Sequence, residues 1–279
     1  MTRTFGAVVT TALVLAAVPA LSTVSTVSTV STVSATADHA ARAKKPKVTL
    51  TVPPNVVEGE QFTVVVKLGR ANDATRVQLL QQVASGSGHS WRTVGTAKAK
   101  RKKTYSFRLT AGEDDAVLTY RAKLVRAKGR PVTSDPVLST VWHWFTLGSF
   151  DPYVRTTGVN DNGISPFNLN GQSVRGWFTT GSPKTWESRY TLGRRCQAMR
   201  GVVGVRDESA DGSSAQLRLL ADDVEVYASP SLSPGTAQPF QIALALPFRL
   251  AVLAQNTSTP PVSVYPAIGE PQLLCTALA

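Results

Sequence analysis

A thiol and two carboxylates lie close together in the stretch YTLGRRCQAMRGVVGVRDES, residues 190–209: Cys196, Asp207 and Glu208. A cysteine that acts as a nucleophile is usually activated by a histidine. The three histidines of the chain all come well before Cys196, at His39, His89 and His143. The sequence therefore favours another role for this thiol.

The acidic pair is poorly arranged for hydrolysis. A glycoside hydrolase needs two carboxylates that face each other across a cleft, whereas successive residues of a strand point to opposite faces. Together with Asp211, Asp207 and Glu208 are weak candidates for a calcium site, although no calcium-loop motif is present; a solvated turn is the alternative. The chain also lacks zinc spacing and a phosphate-binding glycine loop. We predict no cofactor and no enzymatic activity.

The N-terminus predicts export. A positive charge at Arg3 precedes the apolar segment 5–21, and small-residue cleavage sites follow it, which is the layout of a signal peptide. A membrane anchor, the alternative, needs roughly 20 apolar residues, but this segment is shorter and is interrupted by Thr10, Thr11 and Pro19. The repeat STVSTVSTVSTVS at 22–34 is a low-complexity spacer. We expect a secreted protein, free or associated with the cell wall, without a membrane span.

Export changes the interpretation of the two cysteines. Outside the cytoplasm an isolated pair is most simply a disulfide, here Cys196–Cys275. Closing a loop of about 80 residues removes on the order of 4–5 kcal/mol of unfolded-state entropy. Two free thiols are the alternative.

Positive charge is concentrated in the first half. Residues 44–145 hold 18 Lys and Arg against 7 Asp and Glu, whereas residues 146–279 hold 10 of each. This asymmetry indicates two modules with different surfaces. The densest run attracts polyanions, or is simply a solvated loop between two strands. No nucleic-acid-reading motif accompanies it, so we expect no nucleic-acid partner. The residues of this candidate polyanion contact are Lys98, Lys100, Arg101, Lys102 and Lys103.

Residues 44–142 predict an all-β domain. Seven short strands separated by Pro-, Gly- and Asp-rich turns are typical of a β-sandwich. The segments VTLTVPPNVVEGEQFTVVVKL and AVLTYRAKLV resemble those of bacterial immunoglobulin-like domains. That resemblance implies an immunoglobulin-like β-sandwich that acts as a spacer or adhesive accessory.

Residues 143–279 are again rich in strand signals and carry several ordered motifs. The turn Asn170-Gly171 comes first, followed by the Tyr190/Leu192 strand, the strand end VGVRDE at 203–208 and a hairpin at 221–224. In this order they resemble the NPCBM family of carbohydrate-binding modules, which are often attached to exported glycoside hydrolases. The resemblance implies a jelly-roll sandwich of the galactose-binding type, and sugar binding.

The chain departs from the family pattern at two places. The hairpin carries Asp222-Asp223 where the family usually has Asp-Gly. Near the C-terminus, Ile268 lies near the position at which the family tends to have a tryptophan, and the histidine of the family pattern is absent. Binding here is altered or lost if those family residues contact the ligand.

Sugar recognition requires exposed aromatic rings and a few fixed polar groups. Any single aromatic side chain is more often part of a core, and the sequence does not distinguish the two. The candidate ligand-binding residues of the second domain are Trp177, Trp186, Arg189, Arg206, Tyr227, Asn256 and Tyr265.

The sequence thus predicts an immunoglobulin-like β-sandwich followed by a jelly-roll β-sandwich. The predicted function is a secreted, non-catalytic carbohydrate-binding protein whose second domain attaches to extracellular glycan or a cell-wall polymer. The alternative is a structural or adhesion protein without a sugar ligand, whose basic first domain contacts anionic polymers or a protein partner.

Overall fold

A computed structural model describes residues 47–69, 73–86, 88–99, 102–113, 115–181 and 184–278. The predicted signal peptide and spacer, residues 1–43, lie outside the described residues, as do Lys100 and Arg101 of the basic run. All the described residues belong to one compact unit.

The regular secondary structure of the described chain is almost entirely strand, which confirms the predicted all-β fold class; a single 3-10 turn lies at Leu147–Ser149. Nine strands form the first half. They are β1 (Val48–Thr51), β2 (Asn55–Val57), β3 (Gln61–Leu68), β4 (Ala74–Ser85), β5 (Gly88–Lys98), β6 (Thr104–Thr110), β7 (Val117–Arg126), β8 (Val132–Thr133) and β9 (Val137–Thr146).

The first half is built from two packed sheets. One has the order β1-β3-β6, and the other joins β2, β9, β7, β4 and β5, with β8 beside β7. Strand β3 shows why they pack: Phe62, Val64 and Val66 are buried and alternate with more exposed residues, so one face of the strand packs against the other sheet. Tyr120 of β7 closes the core from the opposite side. The immunoglobulin-like resemblance of this half stays a prediction.

The second half is a β-sandwich. One sheet has the order β10-β14-β19-β16-β17; the other joins β11, β13, β20, β15 and β18, with β12 beside β13. Its strands are β10 (Pro152–Arg155), β11 (Val159–Asn160), β12 (Pro166–Leu169), β13 (Gln172–Thr179), β14 (Thr185–Thr191), β15 (Cys196–Val205), β16 (Ala215–Ala221), β17 (Val224–Ala228), β18 (Ala237–Ala243), β19 (Arg249–Asn256) and β20 (Pro266–Cys275).

Apolar side chains from both sheets of the second half form one core. Trp186, Tyr190 and Leu217 come from one sheet, and Trp177 and Met199 come from the other. All five are at most 1% exposed. Burial of this area is the main source of stability for the half that carries the ordered motifs.

Strand β9 belongs to both halves. Its residues 137–140 pair with β7, whereas residues 143–146 pair with β20. The predicted domain boundary, between residues 142 and 143, therefore falls inside a single hydrogen-bonded strand. One sheet of twelve strands runs through the whole molecule as a result.

The predicted disulfide is confirmed. Cys196 begins β15, Cys275 ends β20, and the two are direct partners in the antiparallel ladder. Both cysteines are fully buried. The bond therefore joins the two central strands of one sheet and closes a loop of 79 residues.

We expect the double variant Cys196→Ala/Cys275→Ala to lose about 4–5 kcal/mol of unfolding free energy, because the unfolded chain regains the entropy of a long open loop. Urea unfolding followed by tryptophan fluorescence measures it. Addition of a reductant should destabilise the wild-type protein by a similar amount and leave the double variant unchanged. A loss below about 1 kcal/mol contradicts this role for the crosslink.

Candidate functional site

A shallow groove of about 470 Å³ crosses the sheet formed by β18, β15 and β20. It lies on the face of β15 that points away from the core, because Arg200 and Val202 alternate there with the buried Met199 and Val203. We call this surface the outer groove. Its lining residues are Arg200, Gly201, Val202, Pro239, Phe240, Gln241, Glu270 and Gln272.

Three polar side chains lie in one row across the outer groove. Arg200 is the register partner of Gln241 on β18 and of Gln272 on β20. Neighbouring strands are about 4.8 Å apart, so the row spans roughly 10 Å. Strand pairing thus presents a guanidinium group between two carboxamides.

Arg200 also connects the row to β9. Its Nε donates a hydrogen bond to Oε1 of Gln272 (2.8 Å), and its guanidinium carbon lies 4.0 Å from the ring centroid of Trp144. Stacking of this kind fixes both groups. Among the described residues, no carboxylate forms an ion pair with Arg200. Its remaining N–H groups are therefore available to a ligand.

Beside the polar row the groove is apolar. Val202 and Pro239 are register partners, and the ring of Phe240 stacks on that of Tyr227 with centroids 4.8 Å apart. Gly201 permits this packing, because a Cβ there would lie 3.2 Å from the Phe240 ring and 3.0 Å from Ile268. The groove thus offers an apolar wall next to hydrogen-bonding groups.

Glu270 is the one carboxylate among the lining residues of the outer groove. It lies at an irregularity of β20, where its φ is +47°. Its Oε1 accepts a hydrogen bond from the backbone N–H of Arg175 (3.1 Å). The acid is therefore held at the rim, toward β13.

The two tryptophans predicted to bind ligand lie in the core. Trp177 and Trp186 are 0% and 1% exposed, so their rings present no face to a ligand. Trp177 donates its indole N–H to Oγ of Ser188 (2.9 Å). The Oγ of Ser188 in turn donates to the buried carboxylate of Asp161, which also accepts a hydrogen bond from the hydroxyl of Tyr190.

The polar residues predicted to bind ligand lie at separate places in the second half and do not form one site. Arg189 lies on the opposite sheet and forms ion pairs with Glu187 and Asp223. The Nδ2 of Asn256 donates to the carbonyl of Val262, and its Oδ1 accepts from the N–H of Ser258, so Asn256 holds a loop together. None of the seven candidates is a lining residue of the outer groove. Tyr227 stacks on Phe240, which is a lining residue, from the core side.

Arg206 and Tyr265 form part of a second cluster. The Arg206 guanidinium lies 4.5 Å from the centroid of the Phe178 ring and 5.7 Å from that of Tyr265, and it pairs with Glu208. Burial lowers the pKa of Arg206, although the Glu208 carboxylate opposes that shift. These contacts make Arg206 a packing residue between aromatic rings.

The acidic pair has a structural role as well. Both carboxylate oxygens of Asp207 accept backbone hydrogen bonds, one from Asn170 and one from Gly171, each at 2.8 Å. The acid thereby holds the Asn-Gly turn, where both residues have positive φ. Asp211 is exposed. In the part of the chain that the structure describes, no three His, Cys, Asp or Glu side chains group as a metal site would require.

The departures from the family pattern also have structural explanations. Asp222 and Asp223 occupy a hairpin turn with φ of +46° and +65°, a conformation that Asp tolerates better than most residues. The Asp222 carboxylate accepts the backbone N–H groups of Phe248 and Arg249. Ile268 is fully buried, paired with Trp177 in the ladder.

Sequence reasoning missed Trp144, Arg200, Gln241 and Gln272. Arg200 carried a signal, because it is a charged residue in the otherwise apolar run Met199–Val205. Its partners lie more than 40 residues away along the chain. Only the strand register brings the four together.

The hydrogen bonds to Asp222 should make stability depend on pH. Those from Arg249 and then Phe248 hold the pKa of the Asp222 carboxyl below its usual range, so the folded state holds the charged form more strongly than the unfolded state does. This contribution is complete above about pH 4 and is lost as the pH falls through the lower folded pKa. Asp222→Asn should flatten the acid limb of the pH–stability curve, whereas Asp211→Asn should not. Equal acid limbs in all three proteins contradict the assignment.

Comparison with known proteins adds one finding. Residues 142–258 match the model of the NPCBM/NEW2 domain. The search of curated proteins gave no match. The matched range begins in β9 and contains β15 and β18 of the outer groove, and the sheets described above are those of a galactose-binding-like sandwich.

Proposed function

We propose that this chain is a secreted, non-catalytic carbohydrate-binding protein that holds glycan in the outer groove. The NPCBM/NEW2 match suggests a carbohydrate-binding module in the second half. The disulfide is consistent with an extracellular location. No helix of the described residues is long and apolar enough to cross a membrane.

The observation that carries the proposal is the row Gln241–Arg200–Gln272 beside an apolar wall. A sugar ring presents hydroxyl groups at its edge and C–H groups on its faces. Carboxamides donate and accept hydrogen bonds, and a guanidinium donates several in one plane. Val202 and Pro239 supply apolar surface for a ring face.

The length and shape of the row suggest a linear ligand. A span of roughly 10 Å across three strands accommodates more than one sugar unit. The groove is open at the surface rather than enclosed, so a chain end is not required. We therefore propose binding along a polysaccharide, an attachment role of the kind that the family match suggests.

A binding role also agrees with the carboxylates of the groove. Hydrolysis of a glycosidic bond requires two facing carboxylates, and Glu270 is the one acid in the lining. Its hydrogen bond with the backbone of Arg175 keeps it at the rim. The described groove offers no second acid with which it could act.

A larger concavity of about 660 Å³ lies in the first half, lined among others by His89, Arg92 and Asp115. It falls outside the range that matches NPCBM/NEW2. The Asp115 carboxylate already accepts the N–H of Gly112. We therefore assign glycan binding to the outer groove.

The test uses the full chain, because β9 contributes Trp144 and is shared by both halves. Immobilised galactan, mannan and arabinoxylan serve as probes, at about 0.5 M salt, where the screening length is only a few ångströms. We expect saturable retention on at least one of them. Arg200→Ala should weaken it by about tenfold or more, because it removes charged hydrogen bonds.

Arg218→Ala is the matched control. Arg218 lies on the opposite sheet, is likewise part of a strand and pairs with Glu225, so its loss should leave retention unchanged. Gln272→Ala and Trp144→Ala should weaken binding as Arg200→Ala does. Equal retention of all these variants on a polysaccharide that the wild type binds removes the outer groove as the site.

A further inference from the structure

Basic side chains collect at one end of the first sandwich, far from β20. They come from three strands, from the residue before β1 and from the segment before β6, not only from the basic run of the sequence. We propose that this end, here called the cationic end, binds an acidic polysaccharide. It is made of Lys47, Lys67, Arg76, Lys98, Lys102 and Lys103, all exposed.

Strand direction explains the assembly. Lys67 is the penultimate residue of β3 and pairs with Thr104 at the start of β6, where the N–H of Leu68 donates to the carbonyl of Lys103 (2.8 Å). The carbonyl of Lys47 accepts from Gly69 at the same end (2.8 Å). On the other sheet, Arg76 is the register partner of Lys98.

The same end is far from the junction with the second half. β7 pairs with β9 through its first residues, starting at Val117, and runs away from the junction to Arg126. The start of β4 pairs with this last part of β7. The cationic end therefore lies at the end of the first sandwich opposite to residues 143–146 of β9, which pair with β20.

Carboxylates lie at the opposite end. Glu58 contacts Nδ1 of His143 (2.5 Å), and the carbonyl of Asp115 contacts Nε2 of the same ring (2.9 Å), beside the pairing of β9 with β20. The backbone N–H of Gly59 donates to the carbonyl of Ala111 there, so the segments that carry Glu60 and Glu113 also lie at this end. The first sandwich thus carries its charges separated along its length.

Among the described residues, one carboxylate lies at the cationic end, and it is already paired. Asp73 accepts a hydrogen bond from Nε of Arg126 (2.7 Å). That contact lowers the pKa of Asp73 and raises that of Arg126. The six basic side chains have no ion pair among the described residues, so their charge is free to act on a partner.

The composition of the cationic end indicates the kind of partner. Five of the six side chains are lysines, which act as point charges and do not select a planar acid group by geometry. The large exposed hydrophobic residues of the described chain lie elsewhere, so nothing here inserts into a bilayer. Tyr105, the nearest aromatic residue, is buried and offers no ring for stacking a base. These features fit a flexible chain of acidic sugars held by charge.

This inference does not depend on the outer groove. The two surfaces lie on different halves, and they bind by different forces, one by charge and the other by hydrogen bonds and apolar contact. An acidic polysaccharide bound at the cationic end would add a second attachment point and increase the overall avidity.

The test measures binding of the full chain to polygalacturonate over a range of salt concentrations. The variant Lys67→Gln/Lys98→Gln/Lys103→Gln should bind at least tenfold more weakly. Its slope of log affinity against log salt should be smaller by roughly two to three, because each of the three lost contacts removes about 0.7–0.9 of a released counterion for charged polymers such as nucleic acids. Neutral dextran should not bind at this end.

The control Lys184→Gln/Arg194→Gln/Arg249→Gln removes the same charge from the second half. Equal weakening of both triple variants overturns the proposal, because net charge alone would then explain binding. Tighter binding to phosphatidylglycerol vesicles or duplex DNA than to polygalacturonate overturns the choice of partner. The triple variant of the cationic end should keep wild-type retention on the neutral polysaccharide that the outer groove binds, which separates this proposal from that for the outer groove.

Discussion

The pairing of β9 with β20 is the constraint on which the rest of the structure depends. Residues 143–146 of a strand that starts in the first sandwich form a ladder with residues 272–275 of the last strand. A slip of one residue would move every side chain to the other face of the sheet. Phe145 would then leave the core of the second half and Trp144 would enter it. This register therefore fixes Trp144 beside Arg200, and the buried Cys196–Cys275 bond holds the same part of β20 against β15.

The features that the sequence predicted are those with local causes. Alternation of apolar and polar residues predicts strands, as in β1, and the Asn-Gly pair predicts the turn at 170–171 because both residues accept positive φ. The disulfide followed from there being only two cysteines in a chain predicted to be exported. The order of motifs from Asn170-Gly171 to the 221–224 hairpin indicated NPCBM, and the match over residues 142–258 supports that resemblance.

The residues proposed to bind ligand had no such local cause. Trp177 and Trp186 have the residue type that sugar binding favours, but burial depends on which face of a strand packs against the opposite sheet. Arg189 and Asn256 have the polar groups that sugar binding needs, but in the fold Arg189 pairs with Glu187 and the Asn256 amide donates to the Val262 carbonyl. Arg200, Gln241 and Gln272 become one row only through pairings between distant strands. The cationic end of the first sandwich arises in the same way, from strand direction rather than from the basic run alone.

The central claim is that glycan lies on the outer face of β18, β15 and β20. Chemical-shift mapping tests it most directly: the isotope-labelled full chain is titrated with an oligosaccharide of the polysaccharide that retains it. We predict that the largest shifts occur at the Trp144 indole N–H, the Arg200 Nε–H and the side-chain amides of Gln241 and Gln272. Shifts confined to the opposite sheet, around Arg189 and Arg218, or to the loop at residues 155–162, would contradict it.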